Sequence, residues 1–377
     1  MTTWRNRGSD WLATAETADR LLLTVVALLL AGSVVMVYSA SSAVAMERHD
    51  DAGYFLKRQL LWVGVGVIAM MVTARMNVWG WQRLSLPLLL LSAALLVLVL
   101  IPSVGASVNG ARRWLRVAGW SLQPSELAKL AVVCYLARYL AAHAERMTEF
   151  RRGLLPPLIV CGVLMLLVLA EPDFGTTTVI AILTLILLFV GQVRLSHLGG
   201  LALAAVPAMA LLIASSPYRR QRFLAFLNPW DNAQTSGFQI VQSFLAMGRG
   251  GVGGLGLGES RQKLFFLPEP HTDFIFSIIG EELGLIGTVV VLALFVVFFW
   301  RGLVIAQRAE EPFLRYLAVG ITAMIGVQAL LHMAVVIGLL PTKGLTLPLL
   351  SYGGSSLVVD LAAIGILLAI CRQRAAG

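Results

Sequence analysis

LPEPHTDFIFSIIGEELG, residues 267–284, sets two prolines, His271 and the carboxylates Glu269 and Asp273 directly ahead of a long apolar run. A polar, helix-breaking turn followed by such a run is what a chain entering a bilayer needs, since about 20 apolar residues cross the hydrocarbon core. Apolar runs of that kind recur along the whole sequence, which is 58% hydrophobic and 13% charged, against roughly 25% charged in soluble domains. The runs are continuous rather than alternating, which argues against a transmembrane barrel. The expected fold class is an all-α polytopic membrane protein.

Ten spans are expected, at roughly 21–41, 60–74, 84–102, 124–141, 154–170, 175–192, 197–215, 273–299, 316–338 and 352–371. An even number puts both termini on one side. Lys and Arg on short loops favour the amino-terminal side by about two to one once the 216–272 loop is set aside, as the positive-inside rule requires. The layout is therefore one transmembrane domain over 21–371, with cytoplasmic tails at 1–20 and 372–377 and a long extracytoplasmic loop, 216–272, between spans 7 and 8. No cleavable leader stands apart from the first apolar run.

The net charge is +9, yet the basic residues are scattered over short loops without a long tract. That pattern suits an anionic lipid surface or lipid substrate and not nucleic acid. Cys134, Cys161 and Cys371 lie within or at the end of apolar runs and lack metal-ligand spacing, so neither disulfide nor zinc is expected.

On the external side two basic groups run against topology bias. Arg112, Arg113 and Arg116 share a loop with Trp114 and Trp120, while Arg219, Arg220, Arg222, Arg249, Arg261 and Lys263 crowd the long loop. They either bind an anion or form a solvated face against lipid headgroups. The long loop also holds NPWDN at 228–232, an amphipathic patch around 238–244, and GRGGVGGLGLG at 248–258. Gly251, Gly253 and Gly256 fit G-x-G-x-x-G, but no strand–helix context surrounds them, so a tightly turning loop is the better reading. A loop of this length is expected to be ordered and to lie on the membrane.

Ionisable groups within spans are costly and become functional candidates by default. Glu126 and Lys129, three apart, share a helical face and pair either as a structural staple or around a ligand. Glu171 and Asp173 lie in AEPDFGT, where Asp173 fits a helix cap. Asp360 falls inside the last span and needs a partner from across the bundle. Lys343 sits between Pro341 and Pro348, a spacing that suggests a non-helical or re-entrant segment, and Ser355 follows in a run of hydroxyl and glycine residues. A lysine there either holds a phosphate as a point charge or anchors at the headgroups. Asp273 is either an N-cap or a general base whose basicity is set by a helix end on one side and burial beside Phe274 and Phe276 on the other. Glu281 and Glu282 are expected deeper in the same helix, as parts of the bundle rather than of the chemistry.

The segments GLGLGESRQKLFFLPEPHTDFIFSIIGEELG (254–284), NGARRWL (109–115), QPSELAKL (123–130) and PTKGLTLPLLSYGGSS (341–356) together resemble the SEDS family, the shape, elongation, division and sporulation proteins. The resemblance covers nearly all of 21–371, and the lead-in to LPEP is more like the division-type branch than the elongation-type one. Phe265 and Phe266 are more apolar than in many relatives. The resemblance implies ten transmembrane helices and a peptidoglycan glycosyltransferase that polymerises lipid II at the outer face of the bacterial cytoplasmic membrane, at the division septum. It implies a class B penicillin-binding protein, the septal transpeptidase, and other division proteins as partners. By the same resemblance Asp273 is the catalytic carboxylate, and Lys343, Glu126 and Lys129 match important positions. Arg112, Arg113, Trp114, Arg219, Arg249, Lys263, Glu269, His271 and Ser355 are the further substrate-binding candidates. No metal ligand set is implied, although a divalent cation (Mg or Mn) suits a diphosphate leaving group. The competing readings are a lipid II flippase and a non-catalytic scaffold for the transpeptidase.

Overall fold

The computed structural model describes residues 19–375 apart from 109, 118 and 119; most of the expected 1–20 tail and the last two residues of the 372–377 tail lie outside them. The helices are α1 (Arg20–His49), α2 (Tyr54–Arg75), α3 (Val78–Leu100), α4 (Pro124–Ala142), α5 (Leu155–Ala170), α6 (Phe174–Val190), α7 (Leu195–Ala214), α8 (Pro217–Leu227), α9 (Phe238–Gly250), α10 (Ile275–Arg308), α11 (Pro312–Val336) and α12 (Gly354–Ala375). Among the described residues eight helices are long and apolar enough to cross a membrane. Length and apolarity thus do not reproduce the expected ten. The two that fall short stand at the fourth and sixth expected positions: α4 carries Glu126, Lys129 and Arg138, and α6 has 17 residues. Both lie inside the bundle, where α4 packs on α3, α6 and α11. A helix surrounded by protein can carry charge that lipid would not tolerate.

The chain is not wholly helical. Between α3 and α4 it forms an antiparallel sheet of three strands in the order β1 (Gly105–Val108), β2 (Ala111–Val117), β3 (Trp120–Leu122). Alternation along β2 turns Arg113 and the buried Leu115 inward and leaves Arg112 and Arg116 exposed. Short apolar-polar alternation was hidden in the sequence behind the arginine cluster.

The 216–272 connection is ordered, as expected, and contains α8 and α9. Helix α9 buries Ile240, Val241, Ser243, Ala246 and Gly250 against the start of α10. The fit is close: a Cβ on Gly250 would stand 1.8 Å from the Gly280 carbonyl oxygen.

Helix α10 corrects the expected span 273–299. It is interrupted at Gly284, whose φ of 65° and ψ of −160° no other residue adopts at low cost. The glycine-rich segment is laid along this break. Leu255 and Gly256 donate to the carbonyls of Glu281 and Glu282 at 3.0 Å each, and Leu285 and Ile286 donate to Gly251 and Val252 at 2.9 and 3.2 Å. The exchange satisfies the backbone groups that the interruption frees. The uninterrupted apolar helix is 285–308, which at 1.5 Å per residue is long enough alone to cross a bilayer. Residues 251–258 therefore form a turning loop, as the sequence suggested, while 248–250 are the last residues of α9.

Candidate active site

Asp273 lies in the turn ahead of α10. That helix has Phe274 at its N-cap position and no side-chain cap bond, so Asp273 does not cap it. Among the described residues its carboxylate accepts no hydrogen bond. The irregular segment 341–350 passes directly over it: Asp273 Oδ2 is 3.2 Å from where a Cβ on Gly344 would stand. Crowding by these groups, and then the Glu269 charge, push its carboxyl up to about 7, while Arg222 and Arg113 act in the opposite direction and Asp173 again raises it. A carboxylate with no donor, partly open to solvent and titrating near neutrality is suited to taking a proton.

Five further groups come from four separate elements. Lys343, on the segment 341–350, reaches Thr178 Oγ1 on α6 at 3.1 Å and lies 5.4 Å from the centre of the Phe174 ring. Burial pulls its ammonium down to about 8. Arg113 on β2 donates from Nε to the Glu171 carbonyl at 3.2 Å and from Nη2 to the Pro172 carbonyl, which ties the small sheet to the α5–α6 turn. Arg222 on α8 points at the same segment, with Nη1 3.5 Å from the Thr342 carbonyl. Asp173 caps α6, accepting from Thr176 N at 3.0 Å and from Thr176 Oγ1 at 2.9 Å. Its second oxygen also takes Gln123 Nε2 at 3.3 Å. Beside it Glu171 is fully buried, both its oxygens without partners. Desolvation first, and the Asp173 charge second, push its carboxyl up to about 9, against the pull of Arg113.

The other sequence candidates are placed elsewhere or play visible structural parts. Glu126 and Lys129 form a 2.8 Å ion pair deep in the bundle. Ser355 joins α12 to the β3–α4 junction, donating to the Ser121 carbonyl and accepting from Gln123 N. His271 is packed against the rings of Phe55 and Tyr352 at 4.5 and 5.6 Å; burial holds it down to about 4, and Arg48 adds to the shift, so it is neutral near pH 7. Lys263 donates to Glu282 Oε1 at 2.9 Å, Ser39 Oγ at 3.2 Å and the Gly258 carbonyl at 2.6 Å, which accounts for all three of its protons. Arg219 reaches back to the Leu212 carbonyl at 2.7 Å. Arg249 is exposed and lines a surface groove with Arg261 and Glu259. Arg112 is exposed on β2, and Trp114 is half-buried there.

The structure thus brings Asp273, Lys343, Arg113 and Glu269 together and adds Arg222, Asp173 and Glu171, which the sequence had flagged only as loop charge or cap. Among the described residues no three His, Cys, Asp or Glu side chains are grouped to hold a metal ion. Asp273 senses the charges of Glu269 and Asp173, and Glu171 that of Asp173.

A bundle of apolar helices carries, at one mouth, a carboxylate that accepts no hydrogen bond among the described residues and senses Arg222 and Arg113, a candidate acid–base site on a multi-helix membrane protein. The chain belongs to the FtsW/RodA/SpoVE family, described as cell cycle proteins, whose model matches residues 19–376. It is 46% identical over 362 residues to stage V sporulation protein E of Bacillus subtilis, covering 96% of this chain and 99% of that one. It is 45% identical over 353 residues to the probable peptidoglycan glycosyltransferase FtsW of Geobacter metallireducens, covering 94% of each. Among solved structures it matches a chain reported under "Structural coordination of polymerization and crosslinking by a peptidoglycan synthase complex", with TM-score 0.78, 29% identity and coverage of 95% and 98%. It also matches the rod shape determining protein RodA of Thermus thermophilus, with TM-score 0.70, 28% identity and coverage of 95% and 97%.

Proposed function

We propose that this protein is a peptidoglycan glycosyltransferase that polymerises lipid II into β-1,4 glycan at the outer face of the cytoplasmic membrane during cell division. The observation that carries the reading is the Asp273 carboxylate, which accepts no hydrogen bond among the described residues, is raised to about 7 and is roofed by the segment that bears Lys343. Its support is the family's relatives named as peptidoglycan glycosyltransferases.

The chemistry follows from these groups. The acceptor GlcNAc 4-hydroxyl gives its proton to Asp273 as its oxygen bonds to the MurNAc anomeric carbon. The bond from that carbon to the lipid diphosphate breaks, and the diphosphate leaves with the electron pair. A single displacement of an α-linked diphosphate yields the β-linkage, so one base suffices. Lys343, Arg113 and Arg222 supply positive charge in a desolvated site, where it acts most strongly on a leaving diphosphate. The partner is a class B penicillin-binding transpeptidase at the septum, and both termini are cytoplasmic.

The test uses purified protein with its transpeptidase partner and lipid II, comparing the wild type with Asp273→Asn. Glycan from the wild type and none from a folded Asp273→Asn supports the reading. Equal polymer from both removes Asp273 as base, and lipid II translocation that survives the substitution turns the reading to a flippase.

A further inference from the structure

Outside the Asp273 site, a buried polar chain runs through the bundle core and ends at Asp360, which the reaction above does not use. Asp360 is 1% exposed on α12. Its Oδ2 accepts from Ser356 Oγ at 3.3 Å, and Oδ1 has no partner. Ser356 Oγ accepts from Thr346 Oγ1 at 3.3 Å. Thr346 in turn receives Gln328 Nε2 from α11, at 3.0 Å on its carbonyl and 3.3 Å on its hydroxyl. The Gln328 carbonyl accepts from Lys129, which is paired with Glu126 on α4.

Every bond in this chain points the same way, from the Lys129 ammonium to the Asp360 carboxylate. A hydroxyl has one proton to give. Ser356 can receive Thr346's proton only because its own goes to Asp360, and Thr346 then presents a lone pair to Gln328. Lys129 Nζ and Gln328 Nε2 can only donate, so the acceptor at Asp360 sets the direction of the two hydroxyl bonds that remain. The segment it holds has little regular hydrogen bonding of its own: Leu345 N to Lys343 O and Leu350 N to Leu347 O are local turns. Side chains fix the rest, with His332 Nδ1 2.7 Å from the Leu345 carbonyl and Ser351 Oγ 2.8 Å from Leu347 N. Thr346 lies two residues past Gly344 and three past Lys343, so its orientation is passed directly to the roof over Asp273.

We infer that Asp360 is a positioning residue which, through Ser356 and Thr346, fixes the segment 341–350 so that Gly344 stands over Asp273 and the adjoining Lys343 is held against Thr178. The inference rests on the reading of Asp273 and Lys343 as the reacting site. A carboxylate in a membrane bundle is costly to keep; this one faces the charges of Lys129 and Glu126 from α4 as well as the Ser356 hydroxyl, and only the hydroxyl leads to the segment 341–350.

The experiment pairs hydrogen exchange with kinetics on the full chain and its partner. Asp360→Leu is expected to speed amide exchange over 341–350 while the 78–100 helix is unchanged, and to lower turnover about tenfold with little change in the lipid II concentration needed. Asp360→Asn, which keeps an oxygen acceptor, is expected to remain within about twofold of wild type. In a Lys343→Ala background Asp360→Leu should cost less than about twofold more, because coupled residues are not additive. Ser356→Ala gives the same readings should Asp360→Leu fail to fold. Unchanged exchange over 341–350 in both variants, or losses that simply multiply with Lys343→Ala, overturns the inference. A wild type inactive on lipid II, with the exchange still loosened, rejects the proposed function and leaves the positioning in place.

Discussion

Asp273 and the pair Glu281–Glu282 sit on the same stretch of chain, yet their surroundings are opposite. Asp273 receives no hydrogen bond among the described residues and is pushed up to about 7. Glu281 is filled by donors from the preceding loop: Ser260 Oγ at 2.5 Å, Arg261 N at 3.2 Å and Gln262 N at 3.3 Å. Glu282 holds the Lys263 ammonium at 2.9 Å, and Ser39 Oγ lies 2.7 Å from both its oxygens. A buried carboxylate whose oxygens are taken up by donors anchors the fold. One left without donors keeps its capacity to take a proton. The same side-chain chemistry thus serves architecture at the helix break and, on our reading, reaction at the helix start.

The contrast is broken most directly at Asp273. Asp273→Asn keeps size and shape but cannot accept a proton, so lipid II polymerisation should fall by about 10²–10⁴, with the thermal midpoint in detergent unchanged. A loss of folding instead would place Asp273 with the glutamates as an anchor. Glu282→Ala is the converse. It strands the buried Lys263 ammonium and should cost about 3–5 kcal/mol of stability, the usual consequence of removing one partner of a buried pair. The readout is the yield of monodisperse protein and its thermal midpoint.

Much of this was legible before the structure, for physical reasons that differ by element. Apolar runs announce membrane helices because lipid demands uninterrupted length, and nearly every expected span has its helix. The interruption at Gly284 was not legible, since nothing in SIIGEELGLIG distinguishes a break from a continuous helix until the segment 251–256 is seen to pair with it. Glu281 and Glu282 were expected deeper in the helix as parts of the bundle, and the structure shows the loop that fills them, through Ser260, Arg261, Gln262 and Lys263. At the site, Asp273 and Lys343 stood out as charges beside prolines. Arg222 and Glu171 did not, because only the tertiary fold brings α8 and the α5–α6 turn to the same mouth. The small sheet was missed because its strands are short and rich in arginine, and Asp273 as a helix cap was one residue out of place, Phe274 taking that position.

Titration sharpens the comparison further. The Asp273 carboxyl must be ionised to act as base, which favours pH above about 7. Lys343 must keep its proton to face a diphosphate, which favours pH below about 8. The rate should therefore peak between these values and fall roughly sixfold from pH 7.5 to pH 6, as the two titrations near 7 and 8 together dictate. Lys343→Arg, always charged, should remove the alkaline fall and leave the acid limb where it is. A rate that is flat between pH 6 and 7.5 would show that Asp273 is ionised throughout, as a paired carboxylate would be.

The smallest effect is expected at Ser39, where the anchoring site is thinned without being broken. Ser39→Ala removes the hydroxyl beside Glu282 and one of the three acceptors of Lys263, while the 2.9 Å pair and the Gly258 carbonyl remain. Loss of one buried hydrogen-bonding group with the charges still compensated should cost about 1 kcal/mol, visible as a modest fall in thermal midpoint. The polymerisation rate and its pH profile should be unaltered, because no hydrogen bond from this cluster reaches Asp273. A changed rate at equal stability would mean that the helix break transmits to the helix start, and that the two carboxylate environments on α10 and its leading turn work as one.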